Sequence, residues 1–174
     1  MRSLKGNFSI NADNVSAIIR RATDILNREN GLNPFVVHED LQKNMQRYVG
    51  IMRLGKELEQ GLDELERIKK DVARVKAHAS PQYNPGWNEA IDLPNLMITA
   101  EAVTRAALLR DESRGGHSRI DFENETNEGL TYNVIIRRDQ KGQMQAKREK
   151  RPAPSSELDK IAHATLEELE GSHG

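Results

Sequence analysis

Leu58, Leu62, Leu65, Ile68, Val72 and Val75 recur at gaps of four, three, three, four and three residues. That spacing lays a single apolar seam along an α-helix. A seam so long and narrow is stable only when other helices cover it, so the chain is expected to form a helical bundle. The charges interleaved with it, in LEQGLDELERIKKDVARVK, belong on the solvated face. Upstream, Leu41, Met45, Tyr48, Val49 and Met52 form a second stripe that starts near His38. Gly55 separates the two stripes, and a glycine inside a helix costs about 1 kcal/mol against alanine, so a kink or break is expected at residues 53–55.

Two further stretches supply neighbours. Residues 11–29 place Val15, Ile18, Ile19, Ala22, Ile25 and Leu26 on one helical face, with Asn and Asp ahead of them as caps and Asn33-Pro34 as the break. A third helix is expected from Asp92 to Arg114, with Asp92 as its N-cap and Pro94 confined to the first turn. Its buried stripe would be Leu96, Met97, Ala100, Val103, Ala107 and Leu108. Between the helices, SPQYNPGW (80–87) reads as a turn, and Trp87, the single tryptophan, as a plug at one end of the bundle. Beyond residue 115 the pattern changes. TYNVIIRRDQKGQMQAK (131–147) alternates like a hairpin turning at Asp139–Gly142, a basic run and PAPSS (152–156) form a linker, and LDKIAHATLEELE a last amphipathic helix.

Composition suits this plan. Apolar residues are 36% and aromatics 4% of the 174, enough for a bundle but not for a thick multilayer core. The formal net charge of −1 gives no global basic field for nucleic acid, although 147–151 reads KREKR. With no cysteine, disulfides, thiolate zinc sites and cysteine nucleophiles are excluded. No apolar run is long enough for a bilayer-spanning helix, and MRSLKGNFSI lacks a signal-peptide core, so a soluble intracellular protein is expected.

The usual signatures of catalysis are absent. His38, His78, His117, His163 and His173 fall in separate segments without HxxxH or HExxH spacing, so a metal site is not expected. Neither GxGxxG nor GxxxxGK[ST] occurs, and there is no serine elbow. What stands out is LRDESRGGHSRIDF (109–122). Glu112, Arg114, His117, Arg119 and Asp121 lie within ten residues, around Gly115-Gly116 where the backbone can turn sharply. Two arginines able to grip carboxylates in bidentate forks, and two carboxylates able to answer them, suit either an acidic ligand or a fastener pinning a helix end to another domain. His117 as a general base has no nucleophile or second acid evident beside it.

MQRYVGIMR (45–53), the leucine-spaced helix after it, and NPGWNEAIDLPNLMITAEAVTRAALLRDESRGGHSRIDF (84–122) resemble the C-terminal domain of the succinate dehydrogenase and fumarate reductase flavoprotein family. The most specific part is A-E-x-V-x-R-A-A-L-x-R-x-E-S-R-G-x-H-x-R-x-D, from Ala100 to Asp121. L-aspartate oxidases share much of it. The resemblance covers about Asn33 to Asp121, weakens over the hairpin, and does not extend to the first thirty residues or the final helix.

The resemblance implies a mainly α fold: an antiparallel three-helix bundle, spectrin-repeat-like, with a short C-terminal β-hairpin and tail. Residues 1–32 would be an N-terminal helix and linker, 33–122 the bundle, and 123–174 hairpin, linker and tail. It implies FAD in the parent enzyme, with no flavin bound by this chain alone and no catalytic, cofactor-binding or metal residue in it. The implied partners are the FAD-binding and capping domains of the flavoprotein and an iron–sulfur subunit, without nucleic acid or membrane insertion. The implied location is cytoplasmic, with attachment to the membrane face through partner subunits. Glu112, Arg114, His117, Arg119 and Asp121 are then the expected domain-interface residues. The readings left beside this one are the same domain of an L-aspartate oxidase, or a non-catalytic helical adaptor using Lys147–Arg151. The sequence departs from the family at Pro94, where a helix usually continues with a polar residue, and after Asp121, where the usual Pro-rich, Trp-containing continuation is missing.

Overall fold

A computed structural model describes residues 10–78, 80–166 and 168 of the chain. His173 and the end of the expected last helix lie outside them. Three helices form the bundle: α2 (Pro34–Asn44), α3 (Gly55–Val72) and α4 (Pro85–Leu109), preceded by α1 (Ala12–Asn27). Contacts between Asn44 and Gly61 and between Arg67 and Asp40 show α2 and α3 running antiparallel. Leu58 shares a cluster with Ala107 at one end of α3, so α4 returns antiparallel to α3.

The seam behaves as its spacing requires. Leu58, Leu65, Ile68, Val72 and Val75 are all buried, and Leu62 packs against them. Fully burying each such side chain contributes about 1.5–3 kcal/mol, so this seam, facing the buried stripe of α4, makes a large part of the core. The expected break is present. After α2 the chain makes one π-helical turn (Met45–Val49) and a two-residue strand β1 (Met52–Arg53), and α3 begins at Gly55. Met52, placed in the apolar stripe by the sequence, is 63% exposed because the chain has left the helix there.

α1 carries the expected side-chain cap: Asn11 Oδ1 accepts from the amides of Asp13 and Asn14 at 3.0 and 3.1 Å. Its Ile25 joins the bundle core. The third helix differs from its expected start. Asn84, not Asp92, caps it, with Oδ1 accepting from Trp87 N at 2.9 Å and Pro85 in the first turn. Pro94 therefore lies well inside α4. A proline there usually costs about 3 kcal/mol, but the turn before it buries Ala90 and Leu93 and packs Trp87, and that packing prevails. The buried stripe is Leu93, Met97, Ala100, Thr104 and Ala107. Val103, expected inside, is 43% exposed, and Thr104 is accommodated by donating its hydroxyl to Ala100 O at 2.7 Å. Trp87 closes one end of the bundle, donating Nε1–H to Ala22 O at 2.8 Å.

The hairpin forms as expected: β3 (Tyr132–Arg138) pairs antiparallel with β4 (Met144–Lys150). Asp139 Oδ1 organises its turn by accepting from the amides of Lys141 and Gln143. A helix α5 (Ser156–His163), capped by Ser155, follows the proline linker and buries none of its residues. Among the described residues no helix is long and apolar enough to cross a membrane.

Candidate functional site

Residues 110–129 gather at the end of the bundle where α3 starts and α4 stops. α4 ends at Leu109, five residues short of the expected Arg114, because the chain turns back and supplies its own cap. Arg119 is only 3% exposed, and its Nη1 donates to the carbonyls of Ala107, Leu108 and Arg110 at 3.1–3.2 Å. These are acceptors that a helix C-terminus leaves unpaired, at the negative end of its dipole. The rest of the guanidinium forms a bidentate fork with Asp121, Nε to Oδ1 at 2.7 Å and Nη2 to Oδ2 at 2.8 Å. Asp121 Oδ2 in turn accepts from Gly55 N at 3.0 Å, the first amide of α3. One ion pair thus caps two helices at once, its cation on the negative terminus of α4 and its anion on the positive terminus of α3. These neighbours hold the Asp121 carboxyl well below the usual range, the Arg119 fork being the largest cause.

The backbone is fixed by a short parallel ladder. β2 (Ser118–Arg119) pairs with β1, and Ile120 N donates to Arg53 O at 2.8 Å. Arg114 and His117 exchange both backbone bonds across a tight turn, which Gly115 permits with φ of 57°. Ser113 Oγ accepts from Arg119 N at 2.8 Å and donates to Phe122 O at 2.8 Å, bracing the next turn.

Glu112 is fully buried. Its carboxylate takes Arg110, the Arg114 guanidinium (3.2–3.3 Å) and both the amide and hydroxyl of Thr126 (2.9 and 3.2 Å). Hydrogen bonds from Arg114 and then Thr126 outweigh burial and draw its pKa down to about 2. Gly129 lies against it so closely that an added Cβ would stand 1.9 Å from Oε1. Arg114 also reaches Glu125 at 2.9 Å and Thr126 O at 2.9 Å.

His117 completes the group. Its Nδ1 is 2.7 Å from Arg53 Nη1 and its Nε2 3.1 Å from Arg110 O. A guanidinium only donates, so Nδ1 accepts and the ring is the neutral form with hydrogen on Nε2, donating to the carbonyl. Burial is the main cause that lowers its pKa, and the Arg53, Arg119 and Arg110 charges add to it. Arg53 itself donates through Nε to Val49 O and Gly50 O at 2.9 and 2.8 Å, closing the end of the π turn.

All five residues singled out in the sequence are therefore together, each held by groups of its own chain. Glu112 and Arg119 face inward. Arg114 and Asp121 keep 27% and 28% of their side chains exposed, and His117 is half-buried. Around them Ile51, Met52, Ile120 and Phe122 are exposed. Sequence reasoning missed Arg53, Arg110, Thr126 and Gly129 as members of the group. Arg53 closes MQRYVGIMR and Arg110 stands inside the motif, whereas Thr126 and Gly129 sit in a Gly- and Asn-rich stretch with no pattern to mark them. Lys147–Lys150 of the basic run belong to β4 rather than to a linker, because they pair with β3. Arg148 donates to Leu109 O (2.6 Å) and pairs with Asp111, and Arg110 and Arg148 flank the Tyr132 ring at 5.0 and 4.9 Å. Among the described residues no cluster of three or more His, Asp or Glu side chains is arranged to hold a metal.

The bundle and its capped end have close counterparts. Residues 38–163 match the family model described as fumarate reductase flavoprotein C-term. The succinate dehydrogenase flavoprotein subunit of Coxiella burnetii is 30% identical over 132 residues, 75% of this chain and 22% of that protein. An L-aspartate oxidase of Halalkalibacterium halodurans is 39% identical over 88 residues, 49% of this chain and 16% of that one. Among solved structures, the apo Sdh1 complex of Mycobacterium smegmatis superposes with a TM-score of 0.84 and 30% identity over 97% of this chain, so the likeness extends past the 33–121 core to nearly the whole chain. The chain spans 22% and 29% of the Coxiella and Mycobacterium proteins respectively. This chain belongs to the fumarate reductase flavoprotein C-terminal domain family.

Proposed function

We propose that the chain is the C-terminal helical domain of a flavoprotein that interconverts succinate and fumarate through FAD, and that it docks on the FAD-binding and capping domains without carrying out chemistry itself. The observation that carries this is the family match across residues 38–163, joined to a motif cluster whose charges are paired with the chain's own helix ends and with its 125–126 loop. The relatives named for succinate dehydrogenase and fumarate reductase match over up to 75% of the chain, against about half for the L-aspartate oxidases, which favours succinate or fumarate rather than aspartate as the parent's substrate.

In this reading residues 33–122 carry the docking bundle, and 1–32 and 123–174 are additions to it. Glu112 and Arg119 support the docking end from within. Arg114, His117 and Asp121 present its polar edge, and the exposed Ile51, Met52, Ile120 and Phe122 supply apolar area of the kind that marks interfaces. Electrons would pass from the parent's flavin to an iron–sulfur subunit. The assembly would sit at the cytoplasmic face of the membrane through partner subunits.

The test has two parts. Purified chain is expected to show no flavin absorbance and no succinate-dependent dye reduction; turnover by this chain alone would sink the proposal. Mixed with the separately produced flavin-binding part, it is expected to bind, and Arg114→Ala and His117→Ala to weaken that binding more than they lower the melting temperature of the chain. Undiminished binding by both variants would remove the docking role of this edge.

A further inference from the structure

We propose that Asn30-Gly31 is a spontaneous modification site, where loss of ammonia and relinking of the backbone through an isoaspartate release α1 from the bundle. The pair occupies the joint between α1 and α2, and both residues are exposed. In no other place in the sequence does glycine follow asparagine. Glycine matters there because, with no Cβ, its amide can swing onto the side-chain carbonyl of the residue before it.

Neither the Asn30 side chain nor the Gly31 amide takes part in a hydrogen bond among the described residues, so no bond has to break before they meet. Several other asparagines are engaged: Asn11, Asn33 and Asn84 commit Oδ1 to helix caps, and Asn44 donates Nδ2 to Gly61 O. Gly31 packs beside Lys76, whose ammonium reaches Glu29 O at 2.6 Å. A cation so near favours an amide that has lost its proton. The glycine is itself fixed by the fold, since a Cβ on it would stand 2.6 Å from both Arg74 O and Lys76 Cβ.

The chemistry needs only water. The Gly31 amide gives its proton to solvent hydroxide, and its nitrogen attacks Asn30 Cγ. A new N–Cγ bond closes a cyclic imide, the Cγ–Nδ2 bond breaks, and Nδ2 leaves as ammonia with a proton from water. Water then opens the imide at either of its carbonyls. Attack at Cγ leaves an aspartate in an unchanged backbone. Attack at the main-chain carbonyl frees that carboxylate and leaves Gly31 N on Cγ, an isoaspartate whose backbone is longer by a C–C bond of about 1.5 Å. No electron is gained or lost.

That added length falls where the chain has no slack. After the pair, Leu32 N donates to Arg74 O at 3.0 Å, and Leu32 O accepts from Lys76 N at 2.9 Å. Before it, Arg28 donates to Val75 O, and Ile25 O accepts from Ala77 N at 3.2 Å. Residues 25–32 are thus stitched to 74–77 on both sides of Asn30, and a lengthened backbone cannot keep both sets in register. The weaker side yields. α1 buries only Ile25, whereas α2 on the other side buries Pro34, Val37, Leu41 and Asn44.

Ageing the full chain in mildly alkaline buffer tests this. Peptide mapping by mass spectrometry, with an isoaspartyl carboxyl methyltransferase as probe, is expected to find ammonia lost at residue 30 ahead of every other described asparagine, with isoaspartate among the products. In step with isoaspartate, hydrogen-exchange protection at the Leu32, Lys76 and Ala77 amides is expected to fall. Emission from Trp87, the single tryptophan and bonded to Ala22 O of α1, is expected to shift to the red. Asn30→Gln is expected to hold both signals constant through the same ageing. Freshly prepared Asn30→Asp carries the new charge on an ordinary backbone and is expected to match the unaged chain, which assigns the release to the added backbone length. Conversion elsewhere with Asn30 intact overturns the proposal, as does isoaspartate at residue 30 with protection and emission unchanged, or drift in Asn30→Gln equal to that of the wild type.

Discussion

The two ends of the bundle are closed by opposite kinds of interaction. Where α3 begins and α4 stops, the closure is ionic: Arg119 and Asp121 join the two helix termini, and Glu112 gathers Arg110, Arg114 and Thr126. Where α3 stops and α4 begins, it is apolar and main-chain. Trp87 bonds Ala22 O, Leu32 bridges the backbone of Arg74 and Lys76, and Val75 and Ala77 are buried. The first depends on the placement of charge, the second on area and shape. A bundle could be closed at both ends by leucines; one closed by a buried ion pair gains directionality, since the fork fits only one relative placement of the two helices.

Arg119→Ala is expected to have the largest effect. It strands three helix-terminal carbonyls and the Asp121 carboxylate, a loss in the range of about 3–5 kcal/mol for breaking a buried pair. Urea denaturation should show it as a lower midpoint, and an effect below that of Trp87→Phe would reverse the ranking of the two ends. Next is Gly129→Ala. Its Cβ has no room beside the Glu112 carboxylate, so a loss of about 2 kcal/mol is expected, read by thermal melting. If Glu112 already carried an Ala substitution, the same change should cost much less, and equal costs in both backgrounds would show that the carboxylate is not what the methyl meets. At the apolar end Trp87→Phe removes the bond to Ala22 O and some ring area, for about 1 kcal/mol.

The smallest effect separates the ends by pH. The folded pKa of His117 lies below its ordinary 6.5. Above that value the ring is neutral in both states and its contribution is whole. As pH falls below it the unfolded chain takes up the proton first, and stability is lost down to the folded value. Glu112, with a folded value of about 2 against 4.5, acts at lower pH with the same sign. Melting temperature should therefore decline on acidification from neutrality, and His117→Gln should flatten the first part of the decline. An unchanged slope in that variant would assign the titration elsewhere.

The apolar end was the more legible in the sequence. The seam of α3, the break near Gly55, the plug at Trp87 and the hairpin turn at Asp139 all follow from local spacing and side-chain chemistry. The start of α4 was misplaced because Pro94 is a strong local signal, and the force that overrides it, burial of Ala90 and Leu93 against the rest of the core, is not local. At the ionic end the motif announced its five polar residues but not their partners. Arg53 lies 64 residues from His117 along the chain, and Gly55 lies 66 from Asp121. Periodicity cannot report such pairings. They exist only once the bundle has folded.

That separation has a kinetic meaning. The bond between Gly55 and Asp121 closes a loop holding the whole of α3 and α4, and closing a long loop is entropically costly until most of the intervening chain has ordered. The helices can pair through local and near-local contacts first, and the ion pair then forms on a nearly native scaffold. Interactions made after the folding barrier slow unfolding without hastening folding. The fork at Arg119 is thus a latch in time as well as in space: it sets how long the finished bundle stays shut, while the leucine seam governs how quickly it is assembled.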